Sequence, residues 1–345
     1  MRTSLLFGAL LLGGAVSAAA QTPDSLIAAS YQGQSRFRLN IDGGTKFVGE
    51  YDGDISGTGV PVEGSGTRMM WYPKKAAFRA GSINGTQWDA ANIGSYSVAI
   101  GQNARASGDN SIAFGWNATA AGSSTFAAGE DVTASGAASV ALGYHAHTNA
   151  RQGSFVFADR SSVDSVRAGV NHSANWRVSG GFRIFTSSNL ATGVTIQSGT
   201  STSNWGQNNA VISTSTGAYL HTNGTWTNAS DRNRKHLFAT VHGEDVLTRL
   251  RGLPITTWSY QVEDRNVRHL GPMAQDFRSA FGLGDDDKVI GTVDADGVAL
   301  AAAQALEVRT RELREENARL KAKNEELEAR LARVEAALAI KPEKK

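Results

Sequence analysis

The residues best placed to do chemistry are Ser230 and Lys235, in the run Ser230-Asp231-Arg232-Asn233-Arg234-Lys235. A serine hydroxyl is a weak nucleophile until a base removes its proton. A lysine amine can be that base only when neutral, which takes burial or nearby positive charge. Arg232, Arg234 and His236 are candidate neighbours for such an effect. Spacing sets a condition on the pair. On a strand, residues five apart lie on opposite faces, about 16 Å apart along the chain. On a helix they are about 140° apart. Bringing both to one carbonyl therefore requires a tight turn, or a lysine from a neighbouring subunit. Ser-Asp is also a common turn or helix cap, so the pair alone proves nothing.

Other chemistries are poorly represented. The 345 residues include no Cys, which excludes disulfides, a thiol nucleophile and Cys-ligated metal. Asp52-Gly53-Asp54 and Asp285-Asp286-Asp287 read as solvated turns rather than cation sites. His145 and His147 would share a strand face, but further metal ligands are not evident, so a surface role is expected. Trp205 and Trp226 could stack on sugar rings, with buried packing the favoured reading. No carboxylate pair, P-loop or dinucleotide fingerprint stands out. No cofactor and no metal are expected. Lys+Arg (34) nearly balances Asp+Glu (32), which argues against a dedicated nucleic-acid binder.

The elements that would position Ser230 and Lys235 lie downstream, where Gly thins out and charge and Leu rise. A helical stretch holds Glu244, Asp245, Val246, Leu247 and Leu250. Pro254 to Tyr260 reads as a strand. Then come His269-Leu270-Gly271-Pro272-Met273-Ala274-Gln275-Asp276-Phe277 and Val293 to Leu300. Leu306, Leu313, Leu320, Leu327 and Val334 recur every seven residues, with Thr310, Asn317, Asn324, Leu331 and Leu338 at the other seam position. That is a coiled coil from Val298 to Ile340, entered by a turn at Asp296-Gly297 and ended by Pro342. Asn at the seam favours dimers. Arg330-Leu331-Ala332-Arg333-Val334-Glu335, however, resembles a short-coiled-coil trimerisation pattern.

This ordered set resembles the self-cleaving C-terminal intramolecular chaperone of phage tail spikes, best known from endosialidases. The resemblance covers Ser230 to about Ala339. It implies that the domain helps three chains trimerise and then cuts itself off between Ala229 and Ser230. Ser230 takes the nucleophile position and Lys235 the base position. Asp231 and His269 are candidate supporting residues, His269 either packing structurally or orienting the cleavage site. Gln275 and Asp276 are expected to hold the fold by hydrogen bonds.

Upstream, a period of fourteen repeats from Ser97 to Gln152. Each copy begins Ser/Thr, apolar, Ala, apolar, Gly, with Gly101, Gly115, Gly129 and Gly143 in phase. Val98 and Ile100, or Ile112 and Phe114, point to one face of a short strand, and Gly follows at a turn. One coil cannot bury its apolar row, but stacked coils can. A second strand fits at Ala104 to Ala106. The residues from Gly94 to about Asp159 resemble the YadA-like head repeats of trimeric adhesins. That implies a left-handed parallel β-roll assembled as a homotrimer. The membrane-anchoring barrel of those adhesins has no counterpart here, so self-anchoring is not carried over.

The N-terminus has a basic start, an apolar run from Leu5 to Val16 and small residues to Ala20. This is the pattern of a secretory signal peptide. The expected organisation is a signal peptide at 1–20, a β-rich segment at 21–76, the β-roll head at 77–159 and a β-rich connector at 160–229. Strands are expected at Phe37 to Ile41, Lys46 to Tyr51, Gly181 to Thr186 and Gly193 to Gln197. A small α+β chaperone and autoprotease domain follows at 230–300, then a trimeric coiled coil at 301–340. The expected product is an exported fibrous homotrimer, secreted, at the cell surface or periplasmic, with no membrane span. Its activity would be a single self-cut by a serine endopeptidase. The rivals are a permanent, uncleaved adhesive trimer and a glycan-binding surface protein. Partners are other copies of the chain, with a surface glycan or host receptor as external ligand.

Overall fold

The computed structural model describes residues 25–55, 59–199, 205 and 207–339. The expected signal peptide and Pro342 lie outside them. The chain forms two compact units. One runs up to Ser215 and includes Leu220–Gly224, and the other comprises Thr216–Tyr219 and everything from Thr225 onward.

The first unit opens with three antiparallel strands, Ser25–Tyr31, Gln34–Asn40 and Thr45–Phe47. The roll follows. Its larger sheet runs Gly66–Tyr72, Ala77–Ile83, Val98–Gln102, Ile112–Trp116, Phe126–Glu130, Val140–Tyr144, Phe155–Ala158 and Ala174–Arg177. Only the first pair is antiparallel. A second parallel sheet takes one two-residue strand from each coil: Arg105–Ala106, Thr119–Ala120, Thr133–Ala134, Ala146–His147 and Val166–Arg167. Equivalent positions of successive coils stack on one another, Ala99 on Ala113 and Ala127 on Ala141. Beyond the roll, Phe182–Phe185, Gly193–Ile196 and Ala210–Thr214 pair antiparallel.

The repeat is explained residue by residue. Its leading Ser or Thr (Ser97, Ser111, Thr125, Ser139) donates to the carbonyl three residues earlier, at 2.5, 2.5, 2.7 and 2.6 Å. Each of these carbonyls belongs to a glycine that the ladder leaves unpaired on that side, and the hydroxyl satisfies it inside the coil. The third-position alanines are fully buried, together with Ala104, Ala118 and Val132 from the facing side. This corrects the expectation that stacking buries the large apolar row. The interior of the repeat coils is filled mainly by alanines, with Val132 and Val156 among them. The rows Val98–Ile112–Phe126–Val140–Phe155 and Ile100–Phe114 face outward instead, Ile100 39% and Phe114 37% exposed.

The turns are equally periodic. Asn103, Asn117, Asp131 and His145 all adopt left-handed backbone, with φ between 51° and 56°. Their side chains form a ladder, Asn103 donating to Asn117 at 3.1 Å and Asn117 to Asp131 at 2.8 Å. His145 therefore stands in a turn, not on the strand that carries His147. Burial, then the charges of Arg167 and His145, push the His147 imidazole down. No group of three or more His, Asp or Glu suited to a metal occurs among the described residues. Asp52 is salt-bridged to Lys74 at 2.6 Å, and Asp286 accepts from the Lys288 amide at 2.7 Å.

A guanidinium closes each end of the roll. Arg79 occupies the interior column beside Ala99 and is fully buried. It donates to the carbonyls of Phe78, Ser97 and Ala106 and to the Ser97 hydroxyl, all at 2.8–2.9 Å. Burial pushes its pKa down to about 10, so it remains charged at neutral pH. At the other end, Arg177 donates to the carbonyls of Asp159 and Ser162 and to the Asp159 carboxylate. Asp159 also accepts from the hydroxyls of Ser161 (2.5 Å) and Ser179 (2.7 Å), which hold it far below the usual carboxylate range. A folded pKa below the unfolded one stabilises the fold above the ordinary Asp value of about 3.9. That contribution disappears as pH falls towards the folded value. Asp159→Asn is expected to lower the thermal midpoint at neutral pH and to flatten its decline in acid. Melting curves across that range check it, and an unchanged acid decline would show that Asp159 does not carry it.

In the second unit three helices follow one another: α1 Gly243–Gly252, α2 Ala274–Phe281 and α3 Thr292–Ala339. A two-stranded antiparallel ribbon, Thr256–Trp258 with His269–Gly271, lies between α1 and α2 in sequence. Glu244 and Asp245 in the first turn of α1 and Arg249 and Arg251 in the last suit the helix dipole. Gly282, at φ 67°, ends α2. Val246, Leu247, Leu253 and Phe277 pack on Val298, Ala302 and Ala305 of α3. A methyl at Gly243 would lie 2.6 Å from Ala305 Cβ, so α1 approaches α3 closely there.

This packing overrides the local signal at Asp296-Gly297. The expected turn is helix, because α3 already begins at Thr292 and its first turns belong to the core. From Leu306 onward the heptad row leaves that core. Leu306, Leu313, Leu320, Leu327 and Val334 are 47–57% exposed in the single chain. Trp226, expected to be buried, is 53% exposed, and Trp205 meets Phe185 edge-on at 6.2 Å. No helix among the described residues is long and apolar enough to cross a membrane.

Candidate functional site

The strand Trp226–Thr227 leads into the site. Asn228 accepts from the Trp226 indole at 3.2 Å and donates to Thr292 Oγ1 at 3.2 Å. The chain just before Ala229 is thereby tied to the start of α3. Asn228 carried no signal in the sequence, because Thr292 lies 64 residues away.

Asp231 then starts a single 3₁₀ turn, Arg232–Arg234. Its carboxylate accepts from the Asn233 amide at 2.9 Å, and its carbonyl accepts from the Arg234 amide at 3.1 Å. The Lys235 amide donates to the Arg232 carbonyl at 3.1 Å. A 3₁₀ turn has three residues per turn, so the chain folds back within one turn. The Lys235 side chain returns along it, and Nζ donates to Ser230 Oγ at 2.7 Å. Of the two routes by which these residues could meet, the tight turn is the one present within a single chain.

Asp231 thus serves as the cap that shapes the turn. Of the expected basic neighbours, Arg234 donates to the Thr216 carbonyl at 2.7 Å, and Arg232 lies over the Phe238 ring at 5.7 Å. The whole segment from Ala229 to His242 is exposed in the single chain. After Lys235 it has no regular structure. Leu237 is held in left-handed backbone at φ 56° and is 88% exposed, with Phe238 67% and Val241 66% exposed.

His269 sits elsewhere. It pairs with Trp258 across the ribbon, its ring 4.7 Å from the indole and 5.6 Å from Tyr260. Its Nε2 lies 3.0 Å from Glu263 Oε2, whose carboxylate also accepts from the Tyr260 amide at 2.9 Å. The Tyr260 amide first, and then the His269 ring, hold Glu263 below its usual value. The contacts of His269 therefore go to an aromatic–acid cluster and not to the Ser230 turn. Asp276 lies in the first turn of α2, where its charge suits the helix dipole.

Two segments of the chain are similar to known protein families. A model of the YadA head domain repeat matches residues 93–118 and 134–153. A model described as chaperone of endosialidase matches residues 230–282, beginning at Ser230 itself. The chain thus carries, in order, segments similar to YadA head repeats and to an endosialidase-type chaperone domain. No curated protein and no solved structure matches it. The two modules support a fibre- or adhesin-type protein that self-associates and carries an intramolecular chaperone. Head repeats of this kind also suggest a surface or secreted protein.

Proposed function

We propose that the chain is exported, assembles as a homotrimer through its C-terminal chaperone domain, and is then cut once between Ala229 and Ser230 by its own Ser230 and Lys235. The observation that carries this reading is the 2.7 Å contact between Lys235 Nζ and Ser230 Oγ, in a turn that starts at the bond to be cut.

The chemistry balances within this turn. Neutral Lys235 takes the Ser230 hydroxyl proton, and Oγ attacks the Ala229 carbonyl carbon. The Ala229–Ser230 C–N bond breaks, and Lys235 returns the proton to the departing α-amine. An ester between the Ala229 acyl group and Ser230 Oγ remains. Water hydrolyses it to an Ala229 carboxylate and regenerates the Ser230 hydroxyl. Lysine can begin this cycle only after desolvation favours its neutral form. Lys235 is exposed in the single chain. Burial by neighbouring chains would supply that desolvation and make the cut follow assembly.

Two outward apolar surfaces favour self-association: the outer rows of the roll and the heptad row of α3. Ile100, Phe114 and the heptad row are exposed in the single chain, while Val98, Ile112, Phe126, Val140 and Phe155 are half-buried, and outward apolar surface of this kind marks contact with further chains. The coiled coil raises the local concentration of the three chains while they find register. Its loss afterwards leaves the fibre kinetically trapped. The head, at about residues 77–159, would meet a surface glycan or host receptor.

The test is the intact mass of the purified full-length chain beside Ser230→Ala. Wild type is expected as two pieces divided before Ser230. The variant is expected whole, with a native mass of three chains. Two whole trimers would instead establish a permanent assembly domain.

A further inference from the structure

The turn carrying Ser230 and Lys235 does not stand alone. Arg234 reaches away from it, and its Nη2 donates to the Thr216 carbonyl at 2.7 Å. Gly217 follows Thr216 at φ 88°, a left-handed conformation natural to glycine. A methyl at Gly217 would lie 2.5 Å from Arg234 Nη1 and 3.2 Å from Ala229 Cβ. The guanidinium and the residue before the scissile bond thus meet at the same glycine. Thr216–Tyr219 belongs to the same compact unit as the chaperone domain, although it precedes that domain in sequence. In the chain it links the strand Ala210–Thr214 to the strand Tyr219–His221.

We propose that Arg234 is a positioning residue for the self-cut. It anchors the Ser230–Lys235 turn, and with it the Ala229 carbonyl, to the Thr216–Gly217 turn. The inference rests on the cleavage reading given above. Its physical basis is orientation. Ser230 and Lys235 flank a turn only three residues long, and both side chains are exposed. Nothing in a solvated loop holds the hydroxyl on the carbonyl, and small misplacements cost large factors in rate. A planar fork on a backbone carbonyl is a directional anchor that a lysine, with its point charge, does not reproduce. The anchor also has a consequence for timing. Its acceptor lies in a turn between two upstream strands, so the site is completed only when that turn has formed. Folding of the segment before the cut thereby becomes a condition for the cut.

The experiment follows cleavage of the full chain by intact mass after refolding. Arg234→Ala is expected to slow it about ten-fold or more, with the trimer's native mass unchanged. Arg234→Lys should recover part of the rate. Free guanidinium at low concentration should accelerate Arg234→Ala but not Ser230→Ala. A wild-type rate in Arg234→Ala overturns the proposal. So does a slow rate that neither lysine nor guanidinium improves, since that is a general loss of structure. A second arm works whether or not the chain cuts itself. In Ser230→Ala, adding Arg234→Ala should speed amide hydrogen exchange at residues 217–219 and 231–235. Unchanged exchange there overturns the anchor. A wild type that stays whole removes the cleavage reading and leaves the exchange arm to decide the anchor by itself.

Discussion

On the proposed self-cut, Lys235→Arg is expected to leave the chain whole. Arginine keeps the positive charge, the length and the ability to donate to Ser230 Oγ, but it stays protonated at any accessible pH. If Lys235 only held the serine by the 2.7 Å hydrogen bond, arginine would serve nearly as well. If it removes the proton, arginine cannot act at all. General-base contributions are about 10²- to 10⁴-fold, so cleavage complete within hours in wild type would be undetectable in the variant. The check is intact mass over time, with native mass confirming that the variant still assembles. Cleavage at the wild-type rate would show that Lys235 is not the base and leave Ser230 without a partner in its own chain.

Gly115→Ala breaks the roll. Gly115 sits at φ 118°, and an added methyl would lie 2.0 Å from the Gly129 carbonyl oxygen of the next coil. The obstacle is backbone, so no side-chain rotation relieves it. Gly101 and Gly129 stand in the same column with the same conflict, and the coils on both sides fix the spacing. Left-handed strain and the clash together are expected to cost at least about 3 kcal/mol. In a unit of this size that corresponds to about 6–12 °C in thermal midpoint. Gly180→Ala is the control. Nothing lies within contact of its added methyl, and a change within about 0.5 kcal/mol is expected. Calorimetry of both variants checks this pair. Equal midpoints would mean that the coils can separate freely, against the rigid stacking described here.

The outward rows of the roll carry the same logic to the assembly. In most small domains Val98, Ile112, Phe126 and Val140 would form the core. Here a column of alanines does, joined by Val132 and Val156. The large side chains are left to bury against something else. In α3 likewise, Val298, Ala302 and Ala305 are taken up by the core with α1 and α2, and the heptad row from Leu306 onward is exposed.

Much of this was legible from residue order alone. The period of fourteen, the glycine columns and the heptads are local patterns, and local patterns are written in sequence. The helix around Val246 and Leu247 could be read in the same way, as could the resemblance whose match begins at Ser230. So could Ser230 and Lys235 as candidates, together with the condition that a tight turn bring them together. Facts that depend on residues distant in sequence were decided by the tertiary structure. Gly297 is helical because Val298 and Ala302 pack on α1. His269 belongs to Glu263 and Trp258 because the ribbon pairs strands that the chain separates. Which apolar face of the coil points inward depends on the distance between its two layers, and no single strand encodes that distance. Asn228 and Arg234 find their partners 64 residues downstream and 18 residues upstream. A hydrogen bond across such a span exists only after the chain has closed, so its residues look like ordinary surface positions until the fold is known.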